Sequence, residues 1–290
     1  MPAYSSLHWT SPDGLKLHAR DYPGDGAQPN GRLPVLCLPG LTRNARDFAD
    51  LAERLAAAGR RVLALDLRGR GGSEPARDPA SYTPLTYVAD VRALLADQGI
   101  DRFVAVGTSL GGLVAMLLAA SGAGVAAALL NDVGPELDAR GLARIRALVG
   151  RAATYPTWMH AARALAEANA AIHPDWGIAD WLAMAKRTHR LNNAGRIVLD
   201  YDLRIAEPLR ADPPPDAGAL LWQALAALRG VPVLILRGDR SDLLSAATAE
   251  RMAAALPGAE LVTVPGVGHA PTLAEPVAAA AIDRLLERAG

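Results

Sequence analysis

The chain has one cysteine, Cys37, two phenylalanines and no net charge. A single cysteine cannot close an internal disulfide. Cys37 also sits in the apolar run Pro34 to Leu38, which reads as a buried strand, so a reducing cytoplasm is the expected setting. Nothing cationic lies close to it in sequence to activate it as a thiol nucleophile. Because 30 Lys plus Arg balance 30 Asp plus Glu, no overall field favours nucleic acid, an anionic membrane or an acidic protein. The expected partner is a small-molecule substrate met at a site. Met1 to Thr10 lacks a basic start followed by an apolar segment, so no signal peptide is expected. The uncharged stretch Leu110 to Leu130 is about long enough to cross a bilayer. Gly122 and Gly124 split it, however, into an Ala/Leu helix (Leu113 to Ala120) and a buried strand (Val125 to Leu130), and no membrane span is expected. No cluster of His, Cys and Asp has metal-ligand spacing, so no metal is expected.

Short apolar runs alternate with helical patterns in two blocks. The first opens with a hairpin, Tyr4 to Trp9 and Leu15 to Asp21, followed by strand Val35 to Leu38, a helix from about Arg43 to Ala58 and strand Arg61 to Asp66. It continues with helix Leu85 to Asp97, strand Arg102 to Val106, helix Leu110 to Ser121 and strand Val125 to Asn131. The second block holds helix Leu220 to Leu228, strand Val231 to Leu236, helix Ala246 to Leu256, strand Glu260 to Val264 and a closing helix, Glu275 to Arg288. Such alternation predicts an α/β fold, a mostly parallel sheet of eight strands with helices on both faces. Between the blocks, Pro135 to Pro215 shows no convincing strand and reads as three or four helices rich in Ala, Leu and Arg. The expected organisation is a core of residues 1–134 and 216–290 with a helical cap inserted at 135–215. Pro213, Pro214 and Pro215 make a stiff exit from the cap, and Gly24 to Gly31 reads as an exposed loop.

The sharpest motif is Gly107-Thr108-Ser109-Leu110-Gly111, between an apolar strand and an apolar helix. A serine there sits on a tight strand-to-helix turn that lifts its hydroxyl out of the sheet edge, and the glycines leave room for two backbones to approach. A serine needs a base to become a nucleophile. His269, in Pro265-Gly266-Val267-Gly268-His269-Ala270-Pro271, is the one histidine in the resumed sheet block. The base needs a carboxylate to fix its tautomer. Asp242 is favoured because Leu243-Leu244 after it suggests a chain turning back into the protein. Asp239, beside Arg237 and Arg240, reads more easily as a surface residue, and Asp132, at the end of strand Val125 to Asn131, is a third option. Charge growing on a carbonyl oxygen needs preorganised donors. Leu110 N–H at the helix start is one candidate, and Leu41 N–H in Leu38-Pro39-Gly40-Leu41-Thr42 is the other.

Taken together, these residues resemble the α/β-hydrolase superfamily over Leu33 to Arg68, Val104 to Asp132 and Val231 to Pro276. Asp66-Leu67-Arg68-Gly69-Arg70-Gly71-Gly72-Ser73 is similar to the family's loop after its fourth strand, and Asn131-Asp132-Val133-Gly134-Pro135-Glu136 resembles the junction where many members begin their cap. One departure is Pro39-Gly40 where many relatives have His-Gly, which removes a side chain that often props the oxyanion loop. The resemblance implies cofactor-independent hydrolysis through a covalent Ser109 intermediate. A serine at this turn argues against dehalogenases and epoxide hydrolases of the fold, which use aspartate there. The cap should cover the site, and its Trp158 and Trp181, with Trp222 just after it, are the candidate substrate contacts; His160, His173 and His189 read as surface or capping residues. A small, largely apolar ester or lactone is the expected substrate. A carbon-carbon hydrolase of ring-cleavage diketones is the alternative within the class, and a non-catalytic ligand receptor on the same fold is the alternative outside it.

Overall fold

In the computed structural model, which describes residues 3–24, 31–211 and 216–290, the chain begins with an antiparallel hairpin of β1 (Ser5–Thr10) and β2 (Lys16–Tyr22). Then follow β3 (Val35–Leu38), α1 (Ala49–Ala57), β4 (Val62–Asp66), α2 (Pro84–Asp97), β5 (Phe103–Thr108), α3 (Leu110–Ala120) and β6 (Val125–Asn131). The inserted segment supplies α4 (Ala139–Leu148), β7 (Thr154–Tyr155), α5 (Trp158–Asn169), α6 (Ile178–Thr188), β8 (His189–Leu191), β9 (Ile197–Leu199) and α7 (Ala206–Leu209). The core resumes with α8 (Ala217–Ala226), β10 (Val233–Gly238), α9 (Ala246–Ala255), β11 (Glu260–Val264) and α10 (Pro276–Ala289). Eight strands form one sheet in the order β1-β2-β4-β3-β5-β6-β10-β11. It is parallel from β4 to β11 and antiparallel at the hairpin edge. The alternating pattern predicted this mostly parallel sheet, and its arrangement is the α/β-hydrolase fold that the resemblance implied.

The parallel strands read as continuous apolar runs because both their faces are covered. Period-two alternation still sorts them. Leu36, Leu63, Ala105, Leu130 and Ile235 face the side packed by α2, α3, α8 and α9, whereas Val35, Val62, Val104, Leu129 and Leu234 face α1 and α10. The uncharged stretch that could have spanned a bilayer is α3 plus β6, joined through Gly122 and Gly124 at positive φ. Among the described residues no helix is long and apolar enough to cross a membrane. Cys37 is fully buried, and burial pushes its thiol pKa up, away from reactivity.

Two expectations change. The helix expected from Arg43 begins as a short 3-10 turn, Ala45–Phe48, capped by the Asn44 side chain, before α1 starts. The insertion is not purely helical, because β7, β9 and β8 form a small antiparallel sheet. Its strands are two or three residues long, too short for a period to show in sequence. Residues 25–30 of the expected loop and Pro213 to Pro215 lie outside the described residues.

The loop after β4 is anchored by a buried ion pair. Arg68 and Asp90 are each 1% exposed and share two hydrogen bonds of 2.7 Å, with Asp13 adding further contacts from the surface. Removing one partner leaves the other charge buried, so Asp90→Ala should lower unfolding stability in urea by about 3–5 kcal/mol, and pairing it with Arg68→Met should recover most of that loss. A loss below about 1 kcal/mol for the single variant would show that Asp13 alone satisfies Arg68.

Candidate active site

Six parallel strands end at one edge of the sheet, and the candidate site is assembled from loops that leave them. β5 runs directly into Ser109, which takes φ 52° and ψ −118° before α3 begins. A non-glycine residue is strained there, and the surroundings must hold it. Ser109 N donates to Asn131 O at 2.9 Å, and Gly112 N donates back to Ser109 O at 2.9 Å. The flanking glycines are obligatory by space: a Cβ on Gly107 would fall on the Gly111 backbone, and one on Gly111 would fall on the Leu38 carbonyl.

His269 arrives from the loop after β11. Its Nε2 lies 2.9 Å from Ser109 Oγ, and its Nδ1 lies 2.8 Å from Asp132 Oδ2. The loop is held from both sides: Gly268 N donates to Ile172 O of the insertion at 2.8 Å, and Asn131 Nδ2 donates to Pro271 O at 2.9 Å and to Thr108 Oγ1 at 3.1 Å. Asn131 thus ties the serine turn to the histidine loop, a role that no sequence signal marked beyond its place at a strand end.

The carboxylate that meets His269 is Asp132 rather than the favoured Asp242. Asp132 follows β6, next to β5 in the sheet, and its φ of 55° turns it sharply off the strand. Fully buried, it also accepts Gly238 N at 2.9 Å and Ser241 Oγ at 2.6 Å. Asp242 makes no hydrogen bond to His269 among the described residues and is taken by another partner. Arg144 of α4 grips it through two bonds of 2.6 and 2.8 Å and holds its carboxyl below the ordinary carboxylate range. The chain does turn inward after Asp242, since Leu243 and Leu244 are buried, but the residue whose side chain reaches the site is Ser241. Asp239 is exposed, as its flanking arginines suggested.

Gly40 packs against the serine turn, where a Cβ on it would lie 3.7 Å from Ser109 Cβ. This sets the loop carrying Leu41 opposite the start of α3. Neither Leu41 N nor Leu110 N is taken up by a turn or loop hydrogen bond among the described residues. Above them lies a cavity of about 440 Å³, lined by Leu41, Ser109 and His269 below and mainly by apolar side chains of the insertion, such as Leu165, Trp181 and Met184.

Of the three tryptophans expected to meet substrate, only Trp181 lines this cavity. Trp158 packs into the insertion's own small core beside Ala161 and Ala162. Trp222 donates to Glu136 Oε1 at 2.9 Å, lies under Arg251 and packs on the sheet's core. His173 also lines the cavity, contrary to its reading as a surface residue; it is buried and stacks on Trp176 with ring centroids 3.9 Å apart. Among the described residues no group of three or more His, Cys, Asp or Glu could hold a metal ion.

Residues 35–282 match the profile described as the alpha/beta hydrolase family. The chain belongs to the alpha/beta hydrolase family. This hydrolase is 34% identical over 281 residues, 95% of its length and 94% of the relative's, to a 3-hydroxybutyrate-oligomer hydrolase of Cupriavidus necator. It is 36% identical over 154 residues, about half of each chain, to lipase LipV of Mycobacterium tuberculosis. Among solved structures, an alpha/beta hydrolase from Novosphingobium aromaticivorans superposes with a TM-score of 0.91 at 56% identity, covering 99% of both chains. The protein is therefore an enzyme, a hydrolase of this fold, and the ligand-receptor alternative is set aside.

Burial lowers the His173 pKa from 6.5 to about 4, with Arg43 adding to the effect and Glu275 opposing it. Between those values the unfolded chain binds a proton that the folded one refuses, so acid favours unfolding. The His173 contribution is undiminished above about pH 6.5, and up to ~3 kcal/mol is lost as the pH falls towards 4. His173→Phe, which keeps the stacking on Trp176, should flatten the dependence of Tm on pH in that window. An unchanged slope would place the acid sensitivity elsewhere.

Proposed function

We propose that this hydrolase cleaves small carboxylic esters, lactones included, through a covalent acyl intermediate on Ser109. The observation that carries the reading is the continuous chain from Ser109 Oγ to His269 Nε2 (2.9 Å) and from His269 Nδ1 to Asp132 Oδ2 (2.8 Å). In this reading neutral His269 takes the Ser109 proton as Oγ attacks the ester carbonyl, while Asp132 fixes the tautomer and stabilises the imidazolium that forms. Leu41 and Leu110 N–H receive the negative charge on the carbonyl oxygen. His269 then returns its proton to the departing alcohol, and water activated by the same imidazole releases the acid. The catalytic set is thus Ser109, His269 and Asp132, with Asp242 replaced by Asp132 and no cofactor in any step.

Two things favour a short, apolar ester. The cavity is in the size range of small-ligand sites and mainly apolar, and the relative matched over nearly the whole chain is named for hydrolysing 3-hydroxybutyrate oligomers. We take residues 135–215 as the cap that shapes this cavity, with 1–134 and 216–290 as the core, and place the enzyme in the cytoplasm on the strength of its lone, buried cysteine.

A fluorophosphonate probe should label the wild type and leave Ser109→Ala unlabelled; a folded wild type that takes no label would refute the mechanism. Asp132→Asn should lower kcat on p-nitrophenyl butyrate by about 10³- to 10⁴-fold, whereas Asp242→Asn should stay within about 3-fold of wild type. The reverse ranking would restore Asp242 to the site. Soluble 3-hydroxybutyrate dimers and trimers should be cleaved with higher kcat/KM than p-nitrophenyl palmitate, and a preference for the long acyl chain would point to a lipase.

A further inference from the structure

Among the described residues Arg70 is a buried cation with no carboxylate partner. It is 0% exposed, and its two hydrogen bonds go to backbone carbonyls: Nε donates to Leu41 O at 2.9 Å and Nη1 to Arg68 O at 2.6 Å. Its guanidinium lies 4.8 Å from the ring centroid of Tyr87 and 5.6 Å from that of Tyr82. Nη2 is buried with no hydrogen-bond partner among the described residues. The neighbouring Asp90 is committed to Arg68 through both carboxylate oxygens. Desolvating a guanidinium on these terms is unfavourable, and an apolar side chain would fill the same space against the tyrosines at less cost. What an apolar side chain could not do is hold the Leu41 carbonyl.

That carbonyl belongs to the residue whose N–H is the proposed oxyanion donor. The other restraint next to Leu41 is Arg43 N to Gly40 O at 3.1 Å, and the loop is next held at Asn44, whose Nδ2 donates to Arg187 O at 2.9 Å, and at Ala45, whose N donates to Asp66 Oδ1 at 2.7 Å. Position 39 is a proline, which offers no side-chain donor, and Gly40 next to it resists backbone rotation least of all residues. Leu41 N–H shares its peptide plane with Gly40 O, which Arg43 N holds, whereas Arg70 holds the next plane through Leu41 O; the two bonds together bracket the backbone rotation of Leu41 and so the direction of its N–H.

We propose that Arg70 is a positioning residue of the oxyanion hole, a guanidinium strut that holds the Leu41 carbonyl and thereby limits the backbone rotation that would swing Leu41 N–H away from the ester carbonyl oxygen. The strut is itself braced by the insertion: Asp202 N donates to Gly69 O at 2.7 Å, Gly71 N donates to Asp200 O at 3.2 Å, and Arg70 pairs as an isolated bridge with Tyr201, which lines the cavity. The inference rests on the ester-hydrolase reading above.

The test is steady-state kinetics on Arg70→Met, which keeps an unbranched chain between the tyrosines and removes every donor. Displacing one donor of an oxyanion hole should lower kcat about 10- to 100-fold, with KM changed less than threefold. Affinity for a trifluoromethyl ketone, whose adduct on Ser109 places an oxyanion at the same spot, should fall by the same factor as kcat. The acid limb of kcat/KM should not move, because His269 and Asp132 are untouched. Arg70→Lys, which retains the charge but cannot offer a donor at the Nε position, should also lose kcat at constant KM and serves if the methionine variant fails to fold. Wild-type kcat in either folded variant, or a loss accompanied by a matching rise in KM and a displaced acid limb, overturns the proposal. A wild type that takes no fluorophosphonate label fails the ester-hydrolase reading; a labelled wild type with indifferent Arg70 variants fails only this inference.

Discussion

A buried carboxylate has to be satisfied by donors or it will not stay charged. Asp132 meets that demand from three directions: the amide of Gly238 at the end of β10, the hydroxyl of Ser241 in the following loop, and the ring of His269 from beyond β11. Two of these donors come from the end of β10 and its loop, and the third from the loop after β11. The same interactions that make the charge tolerable therefore close the loops of β6, β10 and β11 onto one point, and Ser109 on the neighbouring β5 meets the far side of the same imidazole. Ser241 is held in turn, since its Oγ accepts the amides of Leu243 and Leu244.

The insertion is part of this hydrogen-bond system as well as the roof of the cavity. Ile172 O receives Gly268 N next to His269, and Arg144 clamps Asp242 on the loop that carries Ser241. At the opposite rim, Arg46 bonds Asp200, and Tyr82 donates to Asp202 at 2.6 Å. The roof is thus pinned on both sides to the loops that surround Ser109 and His269. Its position and theirs are set together.

The parts legible in sequence were those with a local cause. Ser109 was readable because a strained turn needs Gly107 and Gly111 within two residues of it, and His269 because glycines flank it in the one histidine-bearing loop of the resumed sheet block. The main strands were readable for a similar reason: two covered faces demand unbroken apolar runs. The cap strands were not, since segments of two or three residues carry no period. Trp158 and Trp222 are like Trp181 in composition, and only packing separates the one that lines the cavity from the two that fill cores elsewhere.

The choice among three aspartates shows where that boundary falls. By itself the sequence determined a mostly parallel sheet, a serine on a glycine-flanked turn and a histidine in a late loop, because propensity, alternation and steric room act between near neighbours in the chain. Which carboxylate faces the histidine depended on where side chains point across 137 residues of separation, and on Arg144, 98 residues from Asp242, reaching it first. Arg70 beneath Leu41 is the same kind of fact: its hydrogen bond spans 29 residues. Only the folded chain brings those atoms within the roughly 3 Å over which a hydrogen bond operates.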